Sequence, residues 1–316
     1  MAVNVDIKAG ETAASSRISA SGSEYHVISD VERNTFKVTD APLKSAVERY
    51  FGRRPNDAYV KSPTPWGDLY RTYGWQEVTT NLTVQRAEII GISSQPVIVA
   101  NKILRNNSSV PADFDAGISQ QVSNTVSSSW STGGSFTVGQ KFTYKVEFLG
   151  TGGGGETSLS YTQSWGVSET KTHTVTVGST SGVRVRLEPG QAVRVNLTAS
   201  RGTLRTRVTY RGSLTGRTAV NYNPAYQGHH FWGLSIGAVL GSGALNPIST
   251  EDITVGFYAN DIIELVDIVT GEVIATYGGD VSPGPSGDEY ESFPNLSSEV
   301  PPEPVELEGG SPSPES

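Results

Sequence analysis

The residues that could carry catalytic or metal chemistry are few and poorly spaced for it. The four histidines are His26, His173, His229 and His230. The adjacent pair would point to opposite faces of a strand, which does not suit a metal site. Gly150, Gly152 and Gly155 match a GxGxxG spacing, but the residues after them alternate like a strand and offer no helix N-terminus to a phosphate. The chain has no cysteine. We therefore expect no enzyme activity, no metal and no cofactor.

A second set of residues indicates that a segment of the chain moves from water into lipid. Two runs on either side of a glycine-rich turn alternate apolar and polar residues, and their apolar members are Phe136, Val138, Phe142, Tyr144, Val146, Phe148, Leu159, Tyr161, Trp165 and Val167. A hairpin in which paired residue numbers add up to 303 places all of them on one face. In that register Gln140 lies opposite Gln163, and the other face carries Lys141, Lys145 and Glu147 among hydroxyl residues.

Alternation alone fits an ordinary soluble hairpin with one buried face. Two further observations favour insertion into a membrane. Residues 136–148, at about 3.3 Å each and tilted by about 40°, span roughly 33 Å, close to a bilayer core of about 30 Å. The flanking stretches are dominated by Ser and Thr. We predict an apolar face against lipid, a lumen lined by Lys141, Lys145 and Glu147, and Gln140 and Gln163 at the membrane interface.

The elements that must position this hairpin are mainly strands. The chain has 316 residues with 38 Ser, 30 Thr and 35 Gly, a composition typical of β proteins. One helix is predicted, with Asp40 as its N-cap, Pro42 in its first turn, and Leu43, Val47, Tyr50 and Phe51 on one face. An aromatic-rich region follows, whose Trp66, Tyr70, Tyr73 and Trp75 either contact a receptor or lipid headgroup or pack in the core of a head.

Charge separates the body of the chain from its end. From Asp280 onward there are nine acidic residues, eight prolines and no Lys or Arg, which predicts a disordered acidic tail over residues 280–316. The body is nearly neutral, so we expect no nucleic-acid partner. Residues 1–24 are small and polar and are predicted to be disordered, and they contain no apolar signal segment. We expect a soluble protein that acts at a membrane.

Several segments resemble a known family. The runs QQVSNTVSSSWSTGGSFTVGQKFTYKVEFL (120–149) and SLSYTQSWGVSETKTHTVTVGSTSGVRVRLEPGQAVRVNL (158–197) resemble the epsilon-toxin/mosquitocidal-toxin family of aerolysin-like β-pore-forming proteins. The segments TPWGDLY (64–70), NNSSVPADFDAGIS (106–119) and NYNPAYQGHHFWGLSIGAVL (221–240) are similar to its spherulin-like and insect follicular-yolk-like members. The resemblance covers residues 59–245.

The resemblance implies an elongated fold of long twisted antiparallel strands with a small N-terminal head that carries one or more helices. We expect the head in residues 25–115, with residues 220–279 returning to it or to the sheet. The pore-forming module is expected in residues 116–219, with an insertion hairpin over 136–167. The implied function is membrane binding through an unknown receptor (protein, glycan or lipid), homo-oligomerisation and insertion of one hairpin per subunit. A non-lytic storage or structural protein and a lectin-like binding module are the alternatives.

Overall fold

The computed structural model describes residues 2–131, 141–149, 157–179 and 183–278. The strands in these ranges are β1 (Asn4–Ala9), β2 (Arg17–Ser21), β3 (Ser23–Val27), β4 (Asp57–Tyr59), β5 (Thr79–Arg105), β6 (Ala112–Asp115), β7 (Ile118–Trp130), β8 (Lys141–Phe148), β9 (Thr157–Ser164), β10 (Thr170–Ser179), β11 (Arg184–Leu187), β12 (Ala192–Thr215), β13 (Arg217–Tyr226), β14 (His229–Ser235), β15 (Ile248–Asp267) and β16 (Val273–Gly278). The helices are α1 (Asp30–Thr35), α2 (Asp40–Phe51), α3 (Pro65–Tyr73), α4 (Ile236–Leu240) and a 3₁₀ turn (Gly241–Gly243). The prediction of a mainly β fold is confirmed.

One long antiparallel sheet organises the molecule. Its order is β10-β7-β15-β12-β5-β3, with β16 paired to β15. Strands β5, β12 and β15 have 27, 24 and 20 residues, so β5 alone extends roughly 90 Å. From residue 201 to residue 211, β12 alternates strictly. Its inner face carries buried side chains such as Leu204 and Val208, and its outer face carries Arg201, Arg205 and Arg211, which are exposed.

A second, four-stranded sheet packs against the inner face of the long sheet. Its order is β2-β1-β8-β9, in which β8 and β9 form an antiparallel hairpin and β1 runs parallel to β8. The main core contains side chains from both sheets, among them Phe142, Tyr144, Val146, Phe148, Trp165, Leu204, Val208, Tyr210, Ile253, Val255 and Phe257. The β8–β9 hairpin is therefore a structural part of this core.

The N-terminal segment is ordered, so the prediction of disorder for residues 1–24 is wrong. Strands β1, β2 and the start of β3 lie in it, and Val3, Val5, Ile7 and Ala9 are at most 2% exposed. The alternation that buries these four residues is present in the sequence. Besides β2, however, β1 pairs with β8, more than 130 residues further along the chain, and a local pattern does not reveal such a pairing.

The head is smaller than predicted. It contains α1 to α4 and the three-stranded sheet β14-β13-β4. Residues 79–105, which we expected in the head, form β5 in the middle of the long sheet instead, because they pair along their length with β12. The predicted helix is α2, with Leu43 and Val47 fully buried. Its N-cap is Thr39, so the prediction of Asp40 as N-cap is wrong by one residue.

A second core lies at the other end of the long sheet. Its buried members include Val183, Val185, Leu187, Val193, Val195, Leu197, Ile263 and Leu265. The short β6–β11 pair contributes Val185 and Leu187 to it. The predicted acidic tail, residues 280–316, lies outside the described residues.

Candidate functional site

The β8–β9 hairpin separates apolar and polar residues onto two faces, as the sequence predicts. On β8, Phe142, Tyr144, Val146 and Phe148 are at most 1% exposed. The alternate positions Lys141, Thr143 and Lys145 are exposed, and Glu147 is half-buried. On β9, Leu159 and Tyr161 pack against the same core, and Trp165 beyond the strand end is 6% exposed.

The predicted register of the hairpin is wrong by two residues. The observed pairs add up to 305: Tyr144 lies opposite Tyr161, and Val146 opposite Leu159. Tyr144 and Tyr161 stack with ring centroids 5.0 Å apart and planes within 7°. Because side chains alternate with a period of two, a shift by two residues leaves every side chain on its predicted face. Alternation therefore identifies the faces but does not distinguish these two registers.

The shift gives Gln163 a partner other than the one that the sequence predicted. Gln163 lies opposite Phe142 and is 4% exposed. Its side-chain amide donates to the carbonyl of Val167, which is 46% exposed and lies outside β9. Val167 thus does not share the buried face. Phe136, Val138 and Gln140 lie outside the described residues.

An aromatic cluster holds the hairpin against the long sheet. The Phe142 ring lies 5.7 Å from Tyr210 on β12, and Trp165 lies 5.0 Å from the same ring. Trp130, the last residue of β7, approaches Trp165 at 4.2 Å and Tyr210 at 5.6 Å. All of these contacts are between ring centroids. Trp130, which precedes the hairpin in the chain, and Trp165, which follows it, thus contact each other and the same tyrosine of the long sheet.

A buried carboxyl lies beside this cluster. Glu251 on β15 has no exposed surface, and its two oxygens accept hydrogen bonds from the hydroxyls of Tyr144 at 2.8 Å and Tyr210 at 2.9 Å. Burial raises the pKa of Glu251 to about 7, and the hydrogen bonds from the two tyrosines partly oppose that rise. Sequence reasoning missed this residue. The alternation along β15 could have identified it, because Glu251 occupies an odd-numbered position and the odd-numbered Ile253, Val255 and Phe257 are buried.

The charged residues of the hairpin lie on its outer face. Lys145 Nζ and Glu147 Oε1 form an ion pair at 2.6 Å, and Lys141 is exposed at the start of β8. Lys8 on the neighbouring β1 faces Glu147 across the parallel ladder. The three predicted lumen residues thus share one polar face in this structure.

The aromatic residues of the head divide into exposed and buried ones. Trp66 is 46% exposed beside Phe231, at 5.3 Å between ring centroids, and Tyr73 is 51% exposed and stacks on Trp75 at 4.8 Å. Tyr70, in contrast, is 4% exposed, and its hydroxyl lies within hydrogen-bonding distance of the carbonyls of Tyr59 and Arg217. The proposal of Tyr70 as a contact residue is therefore wrong, because its hydroxyl is occupied inside the head.

The backbone presents Trp66 in an unusual way. Trp66, Gly67 and Asp68 have φ values of 63°, 78° and 59°, in the left-handed region that favours glycine. Hydrogen bonds from the Ser62 hydroxyl and the Thr64 amide to the Asp68 carboxylate hold this turn, and they keep the pKa of Asp68 below its usual range. Trp75 is anchored by packing against Gly233, where a Cβ atom would overlap the indole ring.

The requirements of a metal site and of a membrane-spanning helix are not met among the described residues. Within the described ranges, no three His, Asp or Glu side chains come close enough to hold a metal ion. His229 packs against Trp232 at 5.1 Å, and His230 Nδ1 lies 2.8 Å from the Tyr222 carbonyl. None of the helices in the described part of the chain is both long and apolar enough to cross a bilayer.

Long antiparallel strands, a small helical head and an amphipathic hairpin docked on the sheet together define the aerolysin-like fold of β-pore-forming toxins. Parasporin-2, a Bacillus thuringiensis toxin that recognizes cancer cells, has this fold and superposes with a TM-score of 0.54 and 20% identity, covering 81% of this chain and all of that one. Residues 59–254 match the family model described as Clostridium epsilon toxin ETX/Bacillus mosquitocidal toxin MTX2. The chain belongs to this family, and the predicted family is confirmed.

Two relatives are similar over most of their length. U-megalopygitoxin(8)-Mc8 of Megalopyge crispata is 37% identical over 267 residues, which cover 84% of this chain and 91% of the relative. U-megalopygitoxin(8)-Mo12 of Megalopyge opercularis is 36% identical over the same length and the same shares.

Proposed function

We propose that this protein is a β-pore-forming toxin that docks on a target membrane, oligomerises and inserts the β8–β9 hairpin of each subunit into a transmembrane barrel. The observation that carries the proposal is the amphipathic hairpin, whose apolar face is buried on the long sheet by non-covalent contacts only. The toxin names of the two megalopygid relatives support the same role. The mechanism needs no catalysis and no cofactor.

The strands that flank the hairpin support a polar lumen. Strands β7 and β10 pair with each other and connect to β8 and β9 respectively. The outward positions of all four strands are mainly hydroxyl or charged residues, for example Ser127 on β7, Thr143 on β8, Ser160 on β9 and Thr172 on β10. If the four strands extend into one long hairpin, this face is polar along its whole length, as a water-filled barrel requires.

The docked position of the hairpin also limits which contacts can supply the free energy that drives its insertion into the membrane. Phe142 and Val146 are already removed from water, so transfer into lipid exchanges one apolar surrounding for another and contributes little. Departure of the hairpin uncovers apolar side chains of the long sheet, such as Val208 and Ile253. Covering that face by a neighbouring subunit offsets the cost, which is why we couple insertion to oligomerisation.

A disulfide lock tests whether the hairpin must leave its place. Asp6 on β1 and Lys145 on β8 are direct partners on the exposed face, and Lys145 also pairs with Ser160 on β9. The chain has no cysteine, so Asp6→Cys with Lys145→Cys ties the hairpin to β1. Lys145→Cys with Ser160→Cys closes the hairpin internally and is the matched control, because it leaves the hairpin free to move as a unit.

The measurement is dye release from phosphatidylcholine–phosphatidylserine vesicles and from vesicles reconstituted with target-cell membranes. We expect the oxidised Asp6–Lys145 lock to be inactive and to recover on reduction, while the Lys145–Ser160 control is active in both states. Equal release by the two oxidised proteins would refute insertion of this hairpin. An absence of release from wild-type protein on every membrane would favour a storage protein or a lectin-like module.

A further inference from the structure

The carboxyl of Glu251 lies where the hairpin meets the long sheet. It is buried on β15 and joins one tyrosine from each side of the boundary: Tyr144 belongs to the hairpin, and Tyr210 belongs to β12. When the hairpin leaves, the bond from Tyr144 must break, whereas the bond from Tyr210 links two strands that remain together. The two tyrosines thus donate equivalent bonds with different consequences for release.

The other groups around Glu251 do not neutralise its charge. Tyr161 from β9 and Ser128 from β7 face it, and neither carries a charge at neutral pH. The next residue, Asp252, is held by two hydrogen bonds from Arg207 on the outer face. Within the part of the chain that the structure describes, no Lys, Arg or His forms an ion pair with Glu251. A buried carboxylate in these surroundings is costly.

We propose that Glu251 is the positioning residue that holds the β8–β9 hairpin in its soluble place through Tyr144, and that ionisation of Glu251 loosens the hairpin. The inference rests on the proposed function, since it assigns a regulation to the inserting segment. Neutral Glu251 satisfies both tyrosines without a buried charge. Ionised Glu251 gains by reaching water, and it reaches water when the hairpin departs.

The direction of the pH effect follows from the two environments of the carboxyl. Burial raises the pKa of Glu251 to about 7 while the hairpin is docked, against an ordinary value of 4.5 in water. The contribution of Glu251 to docking is therefore complete below about pH 4.5 and is lost as the pH rises to about 7. Between these two pH values the ratio of open to docked protein increases by up to about tenfold per pH unit. Below the lower value and above the upper value this ratio is constant.

Opening is measured without membranes by thiol labelling of Val146→Cys, a position with no exposed surface on the core face of the hairpin. The labelling rate at each pH is divided by the rate of the same variant unfolded in urea at that pH. Val195→Cys is the control for global unfolding, because Val195 is equally buried but belongs to the second core. We expect labelling at 146 to increase by about 40-fold from pH 5 to 7, with no such change at 195.

We call the contact between Glu251 and Tyr144 the latch. Three substitutions, each added to the Val146→Cys variant, distinguish an effect on the latch from an effect on general stability. Glu251→Gln keeps a neutral group of the same shape and should make the profile flat. Tyr144→Phe should speed labelling at 146 at every pH. Tyr210→Phe removes a bond of nearly equal length from the same carboxyl and should speed it much less. A flat wild-type profile between pH 5 and 7, or equal effects of the two tyrosine variants, would overturn the inference.

The latch and the pore can fail separately. If opening follows Glu251 but no variant releases dye from vesicles, the latch stands and pore formation is wrong. If the disulfide lock abolishes dye release but opening in wild type and Glu251→Gln is identical across the pH range, pore formation stands and the latch is wrong.

Discussion

Ile7 of β1 lies directly opposite Val146 of β8 in a parallel ladder, and both side chains are buried in the main core. The N-terminal strand therefore covers the edge of the hairpin that we propose to insert. Ile7→Ala should lower the free energy of unfolding by about 2–5 kcal/mol, since it removes buried methyl groups and leaves a cavity. Urea denaturation followed by circular dichroism measures this change.

The exposed neighbour Asp6 supplies the control for Ile7. Asp6→Ala alters the same strand without touching the core, so we expect a change within about 0.5 kcal/mol. Equal stabilities of the two variants would mean that β1 does not pack on β8 in solution.

The faces of the hairpin could be predicted from sequence because a strand with one buried face must alternate. Phe142, Val146 and Lys145 all lie on their predicted sides. The register could not be predicted, since a shift of two residues preserves the faces, and stacking of Tyr144 on Tyr161 accompanies the observed pairing.

Contacts between distant segments are the part of the fold that local patterns did not reveal. The pairing of β1 with β8, and the meeting of Tyr144 with Glu251 across 107 positions, depend on how the two sheets pack. An acidic residue among apolar ones on the buried side of an alternating strand was the local signal for Glu251. Such a residue has no place on an apolar face unless it finds partners there.

Charge reversal at Lys145 tests the predicted lumen. Lys145 is exposed in the soluble protein, so Lys145→Glu should leave the fold intact. In the proposed barrel this variant would carry a negative charge in place of a positive one on the lumen wall, which should shift the reversal potential of single channels in planar bilayers toward cation selectivity. Arg54→Glu, an exposed charge change in the head, is the control and should leave selectivity unchanged. If both variants keep the wild-type reversal potential, Lys145 does not line the conducting path.

Two aromatic substitutions separate binding from stability in the head. Trp66 is nearly half exposed, so Trp66→Ala should weaken binding to membranes that the wild type permeabilises, with little loss of stability. Tyr70→Phe should do the reverse. Its buried hydroxyl bonds the head together, and its loss should cost about 1–3 kcal/mol while binding is kept. Sedimentation with vesicles and thermal unfolding measure the two properties, and a binding defect confined to Tyr70→Phe would contradict the assignment.

Glu32 gives the molecule a pH response opposite in sign to that of Glu251. It is fully buried in α1, and burial alone would raise the pKa of its carboxyl. Hydrogen bonds from His26, the Ser29 amide and the Thr80 hydroxyl outweigh burial and lower that pKa below its ordinary value of 4.5. The stability that Glu32 contributes is therefore present above about pH 4.5 and is lost as the pH falls through the lower, folded-state pKa.

Glu32→Gln should lower the free energy of unfolding at pH 7 by about 1.5–3 kcal/mol, the range for hydrogen bonds to charged groups. The difference from wild type should shrink as the pH falls from 5 to 3, because protonation removes the same charge in the wild type. Urea denaturation across this range measures it, with the exposed Glu48→Gln as control. A difference that is as large at pH 3 as at pH 7 would show that the Glu32 charge contributes nothing and that only the shape of the side chain matters.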